Sequence, residues 1–116
     1  MKVVAQRVLE ASVKVDDKIV GKIGKGIMLL VSFTEGDDIK NIEYMAKKVA
    51  NLRIFDDNSG IMNLSVQDIN GKVLSVSQFT LYGDALKGNR PSYIKALNGD
   101  KARDLYELFN EKLKEF

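Results

Sequence analysis

The stretch "NGKVLSVSQFTLYG", residues 70–83, decides how this chain is read. Asn-Gly separates two runs, "LSVQDI" and "KVLSVSQFTLY". Between alternating runs, that dipeptide is the best short hairpin signal a sequence offers. The second run mixes β-branched, aromatic and leucine residues, as strands do. The spacing therefore predicts a hairpin whose second arm continues to residue 82. Strand side chains alternate between faces. One face then carries Ser75, Ser77, Phe79 and Leu81, and the other Leu74, Val76, Gln78, Thr80 and Tyr82. The second face starts apolar and ends polar. Two readings of that polar end stand. Gln78 and Thr80 bond nearby backbone or meet water, since buried polar groups need partners. Alternatively, the strand end lines a pocket, with hydroxyls and backbone N–H groups turned toward a ligand.

Outward from this stretch, the pattern alternates between strand and helix. "ASVKV" and "KIVGKIG" flank Asp16-Asp17 and read as two strands joined by a turn. "GIMLLVSF", residues 26–33, is nearly all apolar and belongs in the centre of a sheet. The glycines of "GKIGKG" fit neither phosphate-loop spacing and open no helix. Asp37 or Asp38 caps a helix whose apolar stripe is Ile39, Ile42, Met45, Ala46 and Val49. "NLRIF" reads as a short strand, and "DDNSG" as a turn that lacks the ligand spacing and closing glutamate of a calcium loop. Residues 83–100 form a long polar connection holding the only proline, Pro91. Connections of that length usually carry a function. A last helix turns Ala102, Leu105, Leu108 or Phe109, and Leu113 inward. The expected architecture is α+β: one domain over residues 1–116, with a largely antiparallel, barrel-like sheet and two main helices packed on it.

Composition narrows the chemistry. The 116 residues are 45% hydrophobic and 29% charged, values of an ordinary globular domain. No run is apolar and long enough to span a membrane. "MKVVAQRVLEAS" lacks a signal-peptide core, so the expected compartment is the cytoplasm. There is no cysteine and no histidine. Disulfides, thiolate metal sites, a cysteine nucleophile and every imidazole-dependent triad are thereby excluded. The net charge of +2 neither requires nor opposes a nucleic-acid partner.

A threonine nucleophile needs a base. Asp84 and Lys87 follow Thr80 in the next loop, and no histidine exists. Electrostatic work is easier to supply. Backbone N–H groups with the Ser77 or Thr80 hydroxyl suit a carbonyl oxygen as it becomes an oxyanion. That equipment fits an activated, labile acyl group better than a stable amide. "KGNRPSYIK", residues 87–95, adds Lys87, Arg90 and Lys95 around Tyr93. Such a loop either holds phosphates and stacks a base, or is simply solvated.

"NLRIFDDNSGIMNLSVQDINGKVLSVSQFTLYGDALKGNRPSY" and the opening "QRVLEASVKVDDKIVGKIGKGI" resemble the D-aminoacyl-tRNA deacylase family, of the D-tyrosyl-tRNA deacylase type. The resemblance covers the whole chain. Its most specific motif is "SQFTL", residues 77–81, supported by "RIF", "MNLSV" and "RPSY". It implies hydrolysis of the ester between a D-amino acid, or glycine, and the terminal adenosine of tRNA, a proofreading step of translation. It implies a homodimer with active sites at the subunit interface, and no organic cofactor or catalytic metal.

Carried over by position, Ser77, Gln78, Phe79 and Thr80 line the catalytic site, with backbone around Gln78 and Phe79 holding the aminoacyl end. Ala102 matches a position near the terminal adenine, and Arg7 one that braces a chirality gate. Arg90 and Tyr93 join them as substrate-binding candidates. Thr80 acts as nucleophile in one family scheme, and the substrate's ribose 2′-hydroxyl activates the ester in another. The absence of a visible base favours the second. The family's gate is a Gly-Pro motif near its C-terminus. Here the only proline, Pro91, follows arginine, so the natural chain is expected to continue past Phe116. The alternative expectation is a catalytically silent module that binds tRNA ends, or a dimerisation domain.

Overall fold

The computed structural model describes residues 1–116. Seven strands and two helices follow one another: β1 (Lys2–Val8), β2 (Ala11–Val15), β3 (Lys18–Ile23), β4 (Gly26–Ser32), α1 (Ile39–Asn51), β5 (Phe55–Asp56), β6 (Met62–Leu64), β7 (Lys72–Ser77) and α2 (Asp100–Lys114). The class is α+β, as expected, but no closed barrel forms. The strands make three separate sheets, with orders β1-β4-β7, β2-β3 and β5-β6.

β4 is central because it is apolar on both faces. Ile27, Leu29 and Val31 are buried on one face, against Ile42, Ala46 and Val49 of α1 and Phe109 of α2. On the other face, Met28 and Leu30 are half-buried. Asp38 caps α1: its carboxylate accepts the N–H groups of Lys40 and Asn41, and the Asn41 side chain accepts the N–H of Asp38. That reciprocal pair satisfies donors every helix start leaves open.

The expected hairpin at Asn70-Gly71 does not form. β6 pairs with β5, while β7 runs parallel to β4, from Gly26 opposite Lys72 to Val31 opposite Ser77. Asn-Gly does supply a left-handed residue, with Asn70 at φ +54°. Ser65 and Asp68 redirect the chain before it. The Ser65 N–H donates to the Asp68 carboxylate at 2.9 Å, and the Asp68 N–H donates to the Ser65 hydroxyl at 3.2 Å. This Ser-x-x-Asp box starts a turn that consumes residues 65–70 and closes with Gly71 N–H on the Val66 carbonyl, 2.9 Å. The sheet is therefore mixed rather than largely antiparallel.

The long strand is also shorter than expected. The Gln78 N–H makes the last rung, 2.8 Å to the Val31 carbonyl. β4 ends one residue later, and the chain folds into a 3-10 turn over Phe79–Tyr82. Alternation between faces therefore stops at Ser77.

Candidate functional site

The turn after β7 meets the start of α2. A cleft of about 510 Å³ opens there, lined by Ser77, Phe79, Ala102, Arg103, Tyr106 and Glu107, with residues 97–99 closing one side. Each part is held by a specific contact. The Tyr106 hydroxyl donates to the Ser75 carbonyl at 2.8 Å and ties α2 to β7. The Leu97 N–H donates to the Phe33 carbonyl at 2.9 Å, and the Thr34 hydroxyl donates to the Lys95 carbonyl. The polar connection over residues 83–99 is thus a strap laid along the end of β4. Asp84 and Ser92 exchange two backbone hydrogen bonds, 2.8 and 2.7 Å, which fold the strap on itself.

Of the residues singled out in the sequence, the structure gathers Ser77, Phe79 and Ala102 at the cleft. Tyr93 packs edge-on against the Phe79 ring, with centroids 5.4 Å apart and planes at 71°. Gln78 and Thr80 do not border the cleft. Their side chains bond each other, the Gln78 amide donating to the Thr80 hydroxyl. Arg90 is exposed at the outer bend of the strap. Arg7 lies elsewhere. It faces Ile27, four residues before Val31, so about 13 Å of strand separates it from the rung at Ser77. Its guanidinium donates to the Ile54 carbonyl at 3.0 Å and lies 3.8 Å from Asp56.

The donors matter more than the side chains. The Phe79 and Thr80 N–H groups begin the 3-10 turn, ahead of its Leu81 N–H bond to the Gln78 carbonyl. On the opposite wall, Gly99 precedes α2 and offers no side-chain cap. The cleft therefore sits between two helical starts, the 3-10 turn at Phe79 and α2 after Gly99, with Arg103 beside them. Such an environment favours negative charge. No cluster of three carboxylates forms that could hold a metal ion.

Arg103, Tyr106 and Glu107 were not singled out in the sequence. Their signal was available: Ala102 and Tyr106, and Arg103 and Glu107, are each one helical turn apart, on a helix following a long connection. A second cavity, about 500 Å³, lies beside Lys72, Ser75 and Asn110. The Ser75 hydroxyl and the Asn110 carbonyl oxygen are buried there without partners. None of the expected functional residues reaches it.

The fold is α+β, and its cleft is bordered by backbone N–H groups at two helical starts, without imidazole or thiol. Comparison with known proteins names the family. A family model described as D-Tyr-tRNA(Tyr) deacylase matches residues 4–116, and the chain belongs to that family. It is 54% identical over 109 residues to a D-aminoacyl-tRNA deacylase of Clostridium acetobutylicum, covering 94% of this chain and 73% of the relative. It is 56% identical over 115 residues to the D-aminoacyl-tRNA deacylase of Brevibacillus brevis, covering 99% and 79%. A solved structure described as a c-Myc DNA unwinding element binding protein superposes with a TM-score of 0.93 at 41% identity, over 99% of this chain and 77% of that one. A probable eukaryotic D-amino acid tRNA deacylase shares the fold, with a TM-score of 0.82 at 19% identity over 97% and 66%.

Proposed function

We propose that the protein hydrolyses the ester joining a D-amino acid, or a mischarged glycine, to the 3′-terminal adenosine of tRNA, and so proofreads translation. The observation that carries this is the pair of backbone starts on the two walls of one cleft, the 3-10 turn at Phe79 and α2 after Gly99, whose N–H groups flank a space shared by Ser77, Phe79 and Ala102. As the ester carbonyl becomes tetrahedral, its oxygen gains negative charge that these donors stabilise. One such donor is typically worth about 10²–10³ in rate. An ester on a ribose is activated enough for this to suffice. Ser77 and Phe79 wall the aminoacyl end, Ala102 leaves room for the adenine, and Arg103 supplies positive charge beside the terminal phosphates. Tyr93 steadies Phe79, and Arg90 meets the RNA from the rim of the strap.

Water attacks the ester carbonyl, the bond to the ribose 3′-oxygen breaks, and the proton water loses passes to that oxygen through a neighbouring hydroxyl. Thr80 is engaged with Gln78 and has no base beside it, so the 2′-hydroxyl, held next to its own ester, is the better placed group. No helix is long and apolar enough to cross a membrane. With a tRNA substrate, the compartment of its work is the cytoplasm. We further propose a homodimer, supported by the exposed Val4, Val15, Ile19 and Val20 on β1 to β3. In it, Arg7 serves the partner's site rather than its own, and sedimentation equilibrium reads the expected doubling of mass.

The deciding experiment incubates purified full-length protein with D-tyrosyl-tRNA and L-tyrosyl-tRNA. Free D-tyrosine should appear while the L-ester survives. Release of neither amino acid above the buffer rate overturns the reading. Salt-dependent tRNA binding in that inactive protein would establish a silent RNA-end binding module instead.

A further inference from the structure

We propose that the C-terminal end of α1, with Arg53, is a docking surface for the phosphate backbone of the tRNA's double-helical arm, remote from the cleft. The inference rests on the deacylase reading and adds a second point of attachment to it. Tyr44, Lys47, Lys48, Asn51, Leu52 and Arg53 line a surface hollow of about 470 Å³. It holds three cations and no carboxylate. Residues three and four apart share a helix face, so Tyr44, Lys47, Lys48 and Asn51 present together. None of the three cations has a carboxylate within ion-pairing distance. Glu43, one helical turn before Lys47, is taken by Lys112 at 3.8 Å.

The hollow is built rather than incidental. Arg53 is fixed by a fork on Asn63: its Nε donates to the Asn63 carbonyl at 2.8 Å and its Nη2 to the side-chain oxygen. Lys48 Nζ lies 5.5 Å from the Tyr44 ring centre, and Tyr44 is 64% exposed. A cation held beside an exposed aromatic suits a ribose–phosphate edge, which offers an anion next to the C–H face of a sugar. Lysine near a helix C-terminus also offsets the helix dipole. That local role accounts for Lys48 but requires neither the hollow, Tyr44 nor the pinned arginine.

The spacing fits one RNA molecule. α1 begins beside the strap, where Thr34 bridges Ala96, and the strap closes the cleft. Along α1, Lys47 and Lys48 lie about 12–14 Å from Ile39. The reacting ester sits at the single-stranded 3′ end of tRNA, so a duplex contact must lie at such a distance from the chemistry.

The test compares two substrates: full-length D-tyrosyl-tRNA and a D-tyrosyl trinucleotide with the same 3′ end. In the Lys47→Glu/Lys48→Glu variant, the ratio of kcat/KM for tRNA to that for the trinucleotide should fall about tenfold. For uncharged tRNA, the slope of log affinity against log salt should weaken by roughly 2, one unit for each phosphate the variant no longer neutralises. A ratio within twofold of wild type, or an unchanged slope, overturns the proposal. An equal fall on both substrates also overturns it. So does a fall in binding to phosphatidylglycerol vesicles with tRNA binding intact, which would make the surface a membrane contact. If wild-type protein cleaves neither ester, the deacylase reading falls, and the salt slope with uncharged tRNA still decides the docking surface.

Discussion

The side-chain amide of Gln78 donates a hydrogen bond to the Thr80 hydroxyl, and neither side chain borders the cleft that Ser77 and Phe79 line. Thr80 is thus an acceptor within the turn rather than a primed nucleophile. Thr80→Ala should keep turnover of D-tyrosyl-tRNA within about tenfold of wild type. Loss of a true nucleophile would exceed about 10³-fold. A substrate ending in 2′-deoxyadenosine should instead lose at least about 100-fold, because its neighbouring hydroxyl is gone. Single-turnover kinetics with both substrates separate the two schemes. A dead Thr80→Ala enzyme that still folds and binds tRNA would return the role to threonine.

Gly26 holds the central sheet together by having no side chain. A β-carbon there would stand 1.8 Å from the Lys72 carbonyl oxygen, at the first rung between β4 and β7. That oxygen belongs to backbone and cannot swing aside. Gly26→Ala should therefore cost at least about 3 kcal/mol, above the usual range for overpacking. Gly24→Ala is the control, because nothing lies within 4 Å of a β-carbon at that position. Urea unfolding of both variants should show a large drop in midpoint for the first and little change for the second.

The same rung explains what the sequence could and could not disclose. Periodicity identifies β4 and both helices, and narrows the first helix's cap to Asp37 or Asp38, because each is a local pattern whose partner is one uniform apolar core. It misplaces β7, because parallel pairing is a choice between distant partners that Asn-Gly does not encode. The competing Ser65–Asp68 box was legible as Ser-x-x-Asp, but hidden inside a run that also alternates. The cleft was half legible. Ser77 and Phe79 lie where the alternating pattern ends, and Ala102 came only from the resemblance. Arg103 and Glu107 look like any solvated helix face until the strap over residues 83–99 folds back against them. Arg7 has the opposite difficulty: its match to a gate residue cannot be reconciled with its distance from the cleft inside one chain.

Asp57 gives the acid limb of stability a local origin. Its carboxylate accepts the N–H groups of Ile61 at 3.1 Å and Ser59 at 2.9 Å, and the Asn63 amide at 3.1 Å. The Ile61 bond is the largest cause holding its pKa below the ordinary value of 3.8, followed by the Ser59 bond, with burial opposing them. A depressed folded pKa stabilises the fold above the unfolded value, and that contribution fades as pH falls through the folded one. Asp57→Asn should therefore flatten the fall of Tm below about pH 4 and leave the shape of the curve above pH 6 unchanged. An equally steep acid limb in the variant would place the titration elsewhere, with Asp68 as the next carboxylate to test, since Ser65 lowers its pKa in the same way.

Tyr93 reaches the site through its ring. It meets Phe79 edge-on, and a β-carbon on Gly83 would come within 3.0 Å of it, so a side chain at that position would crowd the ring. The phenol makes no hydrogen bond within the chain. Phe79 is 48% exposed and would otherwise be free to change rotamer. An edge-on pair of this kind is worth about 0.5–1.5 kcal/mol. Tyr93→Phe should therefore behave as wild type. Tyr93→Ala should raise KM for D-tyrosyl-tRNA by roughly 2- to 10-fold, the same free energy expressed as affinity, while kcat changes little. If Tyr93→Phe matches Tyr93→Ala, the hydroxyl rather than the ring contacts the substrate. Steady-state kinetics on the two variants, with Tm measured alongside, distinguish these outcomes. A strap that merely covers the core would lose Tm in Tyr93→Ala without moving KM.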